Sequence, residues 1–179
     1  MTLAGTTFSS ILRLLALAAA LWVPHFALAD YYADVGRLIR SGQLGEAAAK
    51  ADQYLAAKPK DPQMHFLRGV IQTEAKQTAQ AIATFTKLNE DYPELPEPYN
   101  NLAVLYAGQG QFDKARTALE AAVRANPNYA TAHENLGDVY ARLAGVAYAK
   151  AQQLAPANGS VAPKLALVRQ LFPAQAKSK

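Results

Sequence analysis

Cysteine is absent from all 179 residues, which excludes a disulfide framework, a thiolate nucleophile and a cysteine-ligated metal. Aromatic residues are few: a single Trp, and 9% aromatic content within a hydrophobic share of 51% that owes much to alanine. An alanine side chain removes little apolar area from water, so one thick core is not expected. Thin helix pairs packed in series suit this composition better. Charge of one sign is also scarce, with a formal net charge of +4 and no run of five like charges. A nucleic-acid partner would call for a dense basic stripe, and none is expected.

Chemistry-bearing patterns are missing as well. His25, His65 and His133 form no H-x3-H pair, and no carboxylate cluster has metal-ligand spacing, so no metal is expected. Ser41, Ser160 and Ser178 lack a G-x-S-x-G setting. Gly108 and Gly110 are not followed by the Lys-Ser/Thr that would cradle a phosphate. The sequence therefore predicts no catalytic residue and no cofactor, and a protein that is not an enzyme. His65 and His133 share a repeat column with Tyr31 and Tyr99, and are expected to be packing rings.

The long apolar stretch lies at the start. Arg13 precedes Leu14 through Val23, a run short of the roughly 20 residues needed to span a bilayer. Pro24 breaks it, and Ala27-Leu28-Ala29 has the small-x-small form of a signal-peptidase site. Residues 1–29 are thus expected to be a signal peptide cleaved between Ala29 and Asp30, with a periplasmic or secreted mature protein. The competing reading keeps the segment as an uncleaved membrane anchor.

What the chain does contain is a period. Pro59, Pro93 and Pro127 are 34 residues apart, as are Ala47, Ala81 and Ala115. Tyr31, His65, Tyr99 and His133 keep the same step. A fixed period of 20 to 50 residues signals a stacked array. Each period holds two amphipathic stretches of about 12 residues joined by a polar turn such as Gly108-Gln109-Gly110-Gln111, hence a helix, a turn and a second helix. Tyr99, Leu102, Ala103 and Tyr106 follow i, i+3, i+4, i+7 spacing and should share one packed face. Small residues at Gly69, Ala81, Ala103, Ala115 and Gly137 should let neighbouring backbones approach, and Asp61 should cap the helix opening at Pro62.

This pattern resembles the tetratricopeptide repeat, W-x2-L-G-x2-Y then A-x3-F then P. Residues 96–129 match through Tyr99, Leu102, Ala103, Tyr106, Ala115, Leu119 and Pro127; residues 62–95 through His65, Gly69, Ala81, Phe85 and Pro93. Tyr31, Leu38, Ala47 and Pro59 supply an earlier unit. The expected fold is all-α, a helical-hairpin array (an α-solenoid) over residues 30–172, with units near 30–61, 62–95, 96–129 and 130–158. The fourth unit departs from the pattern: Pro156 follows Pro127 by 29 residues, so the inter-helix turn is missing. Leu136, Tyr140, Leu143, Ala147, Ala151 and Leu154 keep helical spacing through the gap, which predicts one long helix over about 130–154, bent near Gly145. A capping helix over 161–172 and a basic tail over 173–179 complete the chain.

The resemblance implies a protein-binding groove lined by the first helix of each unit. On this chain its residues would be Phe66, Val70, Asn100, Asn101, Val104, Glu134, Asn135 and Asp138. It further implies a non-catalytic adaptor for a protein or peptide. The alternative class is a self-associating scaffold, with a second copy of the chain as partner.

Overall fold

The computed structural model describes the backbone of residues 26–172 and the side chains of residues 31–172. Most of the expected signal segment and the whole 173–179 tail lie outside the described residues. Phe26 through Ala29 open the first described helix, which runs through the expected cleavage point at Ala29 and Asp30. Among the described residues there are eight helices and no strand. The chain divides into two compact units, residues 1–59 and 60–179.

In the first unit, α1 (Phe26–Arg40) and α2 (Leu44–Ala57) form a hairpin. Its interior consists of Val35, Leu38, Ala47, Ala51, Tyr54 and Leu55. The rings of Tyr31 and Tyr32 lie 5.4 and 5.5 Å from that of Tyr54, and the Tyr32 and Tyr54 hydroxyls share a 2.8 Å hydrogen bond. Lys50 and Arg37 both donate to the Asp34 carboxylate and hold its pKa below the ordinary aspartate value, Lys50 more strongly.

The second unit contains α3 (Pro62–Glu74), α4 (Thr78–Asp91), α5 (Pro96–Gly108), α6 (Phe112–Ala125), α7 (Ala130–Leu154) and α8 (Val161–Leu171). Asp61 caps α3, its Oδ1 accepting from the Met64 amide at 2.8 Å. Pro62 and Pro96 occupy first-turn positions, where a missing N–H costs nothing. One cluster joins Ala81, Phe85 and Leu88 to Leu102 and Leu105 of α5, with Phe66, Val70 and Tyr106 at its edge. A second is built mostly of alanine: Ala103, Ala115, Ala118, Ala122 and Ala132 surround Leu119 and Val139. Tyr99, Phe112, Tyr129 and Leu136 pack around this cluster, so rings at its margin fill the space that the small side chains leave.

The turns between paired helices share one backbone device. Gly42, Lys76 and Gly110 have φ of 74°, 60° and 72°, and so repeat the 34-residue step. Each is followed by a glutamine whose amide reaches back to the helix just ended: Gln43 to Leu38, Gln77 to Gln72 and Gln111 to Tyr106, at 2.8–2.9 Å. These bonds satisfy carbonyls that a helix end leaves open. Glycine suits the left-handed position and lysine does not. Lys76→Gly is therefore expected to stabilise the protein by about 1 kcal/mol or less, read as a higher urea midpoint.

The fourth unit lacks the device. Helix α7 runs unbroken for 25 residues, and α8 packs on it as the capping helix expected from the sequence. A Cβ built on Gly145 would lie 3.2 Å from Val168 Cγ1, so this glycine allows the close approach of α8. Two expectations fail nearby. Gly137 faces open space and brings no backbone closer. His133 is exposed rather than a packing ring, its Nε2 lying 2.9 Å from the Pro127 carbonyl across the turn that precedes α7.

Candidate protein-binding site

Helix α5 contacts α4, α6 and α7, and burial therefore reaches around most of its circumference. Leu102, Ala103, Leu105 and Asn100 are all buried. At about 100° per residue, the side left open is a narrow strip carrying Glu97, Asn101, Val104 and Gly108. Val104 is 52% exposed, a large apolar side chain offered to solvent. Asn101 Nδ2 donates to the Glu97 carbonyl one turn back at 2.9 Å.

On α7 the corresponding residues are Glu134 and Asp138, both exposed, and Asn135, half-buried. Asn135 Nδ2 donates to Asn100 Oδ1 at 2.8 Å, a side-chain bridge between the two helices. Asn100 thus differs from expectation: it is 7% exposed, and its carbonyl oxygen faces α7 rather than a ligand. Glu97 also lends its field to Tyr129, whose phenol pKa is raised first by burial and then by that carboxylate. The open side of α5 and α7 is accordingly acidic at Glu97, Glu134 and Asp138, with Arg142 further along α7.

Phe66 and Val70, expected to line the same groove, pack partly into a core. Both are half-buried on the Ala81–Phe85–Leu88 cluster, and the Phe66 ring lies 5.8 Å from that of Phe85. Of the eight residues singled out from sequence, Asn101, Val104, Glu134, Asn135 and Asp138 are thus on or beside one acidic strip. Asn100 stands behind it, and Phe66 and Val70 belong to the neighbouring core. Reasoning from sequence missed the bridge because a 34-residue period gives each column one role. The packing of α7 on α5 gives Asn100 another.

Sequence reasoning also missed a cavity of about 450 Å³ on the other side of α5, bordered by Asn89 of α4 and by Lys114, Thr117, Ala121 and Arg124 of α6. Two of its walls, Tyr99 and Tyr106, were assigned to packing alone. The signal that could have found it is the spacing 114, 117, 121, 124 on α6, a continuous helical stripe with a cation at each end.

Two tetratricopeptide-repeat family models match residues 32–96 and 72–138, together more than half of the chain. Over 101 residues the chain is 29% identical to WspC of Pseudomonas putida, named as a biofilm formation methyltransferase, covering 56% of this chain and 24% of that one. The chain spans no more than about a quarter of the length of the curated relatives it matches, the shares being 24%, 15% and 18%. Among solved structures it resembles TTC0263, a thermophilic TPR protein of Thermus thermophilus, with TM-score 0.60 and 22% identity over 81% of this chain and 82% of that one. It also resembles YrrB, described as a TPR protein with an unusual peptide-binding site, with TM-score 0.55 and 17% identity over 79% and 75% of the two chains. The 34-residue columns, the paired helices they build and these matches agree, and the chain belongs to the tetratricopeptide-repeat family.

Proposed function

We propose that this protein is a non-catalytic adaptor that binds a basic segment of a partner protein along the open strip of α5 and α7. Tetratricopeptide-repeat proteins generally mediate protein–protein interactions, and the fold is typically non-catalytic. The observation that carries the reading is the grouping of Glu97, Glu134 and Asp138 with the exposed Val104 and the Asn101 amide on adjacent helices. Carboxylates at the rim attract a cationic segment, and Val104 offers an apolar contact between them. The expected signal segment, with Ala27-Leu28-Ala29 before Asp30, supports placing the adaptor in the periplasm.

The test begins with crosslinking in intact cells, followed by affinity measurement with the captured partner. Glu134→Lys combined with Asp138→Lys is expected to weaken binding about fivefold or more in low salt. The difference should shrink near 1 M salt, where screening acts over about 3 Å. Unchanged low-salt affinity in the folded variant would remove the acidic strip from consideration. Intact-mass analysis of the exported protein checks the location, a mass beginning at Asp30 being expected.

One observation favours self-association as a second reading. Leu167 and Leu171 of α8 are each 64% exposed and, four residues apart, share one face. Light scattering across concentrations separates the readings: a mass that grows with concentration and falls back in Leu171→Glu would favour the scaffold.

A further inference from the structure

The α5–α7 strip leaves the opposite side of the second unit unused. There α6 presents Lys114, Thr117, Ala118, Ala121 and Arg124 along one side of a cavity of about 450 Å³. Leu102, Tyr99 and Tyr106 of α5 close it from below, and Asn89 of α4 borders it. At about 100° per residue, Tyr99, Leu102 and Tyr106 lie about 180° around α5 from Glu97, Asn101 and Val104. The two surfaces are therefore separate and back to back.

Three features give the cavity a chemical preference. Its walls are mainly apolar, and its size falls in the range of about 300–1,000 Å³ usual for ligand sites. Asn89 Oδ1 is buried and has no hydrogen-bond partner among the described residues, an acceptor in want of an N–H. Lys114 and Arg124 stand at the two ends, and among the described residues neither pairs with a carboxylate. Lys114 lies over the Tyr106 ring, 5.4 Å from its centroid. The one acidic lining residue, Asp113, lies 3.6 Å from the Arg116 guanidinium, which offsets its charge.

We infer that this cavity is a second docking site, for an extended acidic–apolar peptide segment of a partner protein. The ten steps from Lys114 to Arg124 span about 15 Å at 1.5 Å each, the length of four to five extended residues. Carboxylates at the two ends of such a segment meet Lys114 and Arg124. An apolar side chain between them sits over Ala118, Ala121 and Leu102, and the Asn89 amide turns toward the cavity to accept from a backbone N–H. The two faces of the second unit then carry opposite preferences, basic segments on α5–α7 and acidic ones here.

Fluorescence anisotropy of the full chain with a labelled, end-blocked Glu-Leu-Ser-Leu-Glu peptide tests this, against the same peptide with lysine at both ends. Saturable binding of the acidic probe is expected, and binding of the basic one, which belongs to the α5–α7 strip, should persist in Ala121→Phe. Ala121→Phe, which fills the cavity, should weaken acidic-probe binding at least tenfold, and Lys114→Glu with Arg124→Glu should exchange the preference. The latter pair lies on the surface and keeps the test alive if Ala121→Phe fails to fold. Glu134→Gln with Asp138→Asn removes the carboxylates of the strip without adding cations and should weaken the basic probe alone, so failure of the α5–α7 reading and failure of this one are distinguishable. Absent binding of the acidic probe, or indifference of that binding to the cavity variants, would overturn the inference.

Discussion

Phe85→Ala is expected to destabilise the second unit by about 3–5 kcal/mol, the cost of emptying a fully buried aromatic site. Phe85 lies in α4 at the centre of the cluster that joins α4 to Leu102 and Leu105 of α5, with Phe66 of α3 beside it. Its loss therefore weakens two neighbour contacts of the array at once, and an array is held by just such contacts. Urea unfolding followed by far-UV circular dichroism measures the effect. A loss below about 1 kcal/mol would mean that the ring is not the joint between these helices.

The same ring explains a glycine. A Cβ built on Gly69 would come within 2.5 and 2.6 Å of Phe85 Cε1 and Cζ, closer than real side chains allow. Alanine at position 69 would gain about 1 kcal/mol in helix propensity, yet overpacking costs about 1–3 kcal/mol. A net loss follows for Gly69→Ala in the native background. In a Phe85→Leu background the ring is gone, so the same substitution should become neutral or stabilising. The repeat pattern places Gly69 and Phe85 in different helices of one hairpin, and their contact is what couples the two columns.

How much of this was legible depends on whether a residue's role is set locally. The continuous α7 was readable because Leu136, Leu143 and Ala151 keep helical spacing across the missing turn, and spacing is a property of the chain itself. The 34-residue hairpins were readable for the same reason. Lys76 was not, because its left-handed backbone follows from closing the α3–α4 turn, while its side chain gives no sign of that strain. Nor was His133, whose column predicted a packed ring, because the unit that would cover it has lost its turn and runs on as helix. The α5 site was half legible. Glu97, Asn101 and Val104 were separated correctly from Leu102 and Ala103 by angle alone. The angle of Asn100 said nothing of α7 arriving on that side. The α6 cavity draws residues from three helices, and no single period spans them.

Asn135→Ala is expected to cost about 1–3 kcal/mol, because it strands Asn100 Oδ1, a polar group on a residue only 7% exposed. The reciprocal change, Asn100→Ala, should cost less, about 1 kcal/mol, since the half-buried Asn135 amide can turn toward water. Removing both partners should recover part of the larger loss, and the double-mutant cycle measures that coupling. Asn101→Ala is the control: its amide bonds only to the Glu97 carbonyl within α5, so a change within about 0.5 kcal/mol is expected. The asymmetry matters for the binding strip. The bridge sets how close α5 and α7 lie, and hence the spacing of Glu97 and Val104 from Glu134 and Asp138. Loss of partner affinity in Asn135→Ala would accordingly follow from a shifted strip, whereas loss in Asn101→Ala at full stability would reflect direct contact with the partner. Equal costs for the two single variants at positions 100 and 135, with no coupling between them, would show that the amides stabilise their helices independently and that the spacing of the strip is set by the Ala103–Ala132 packing instead.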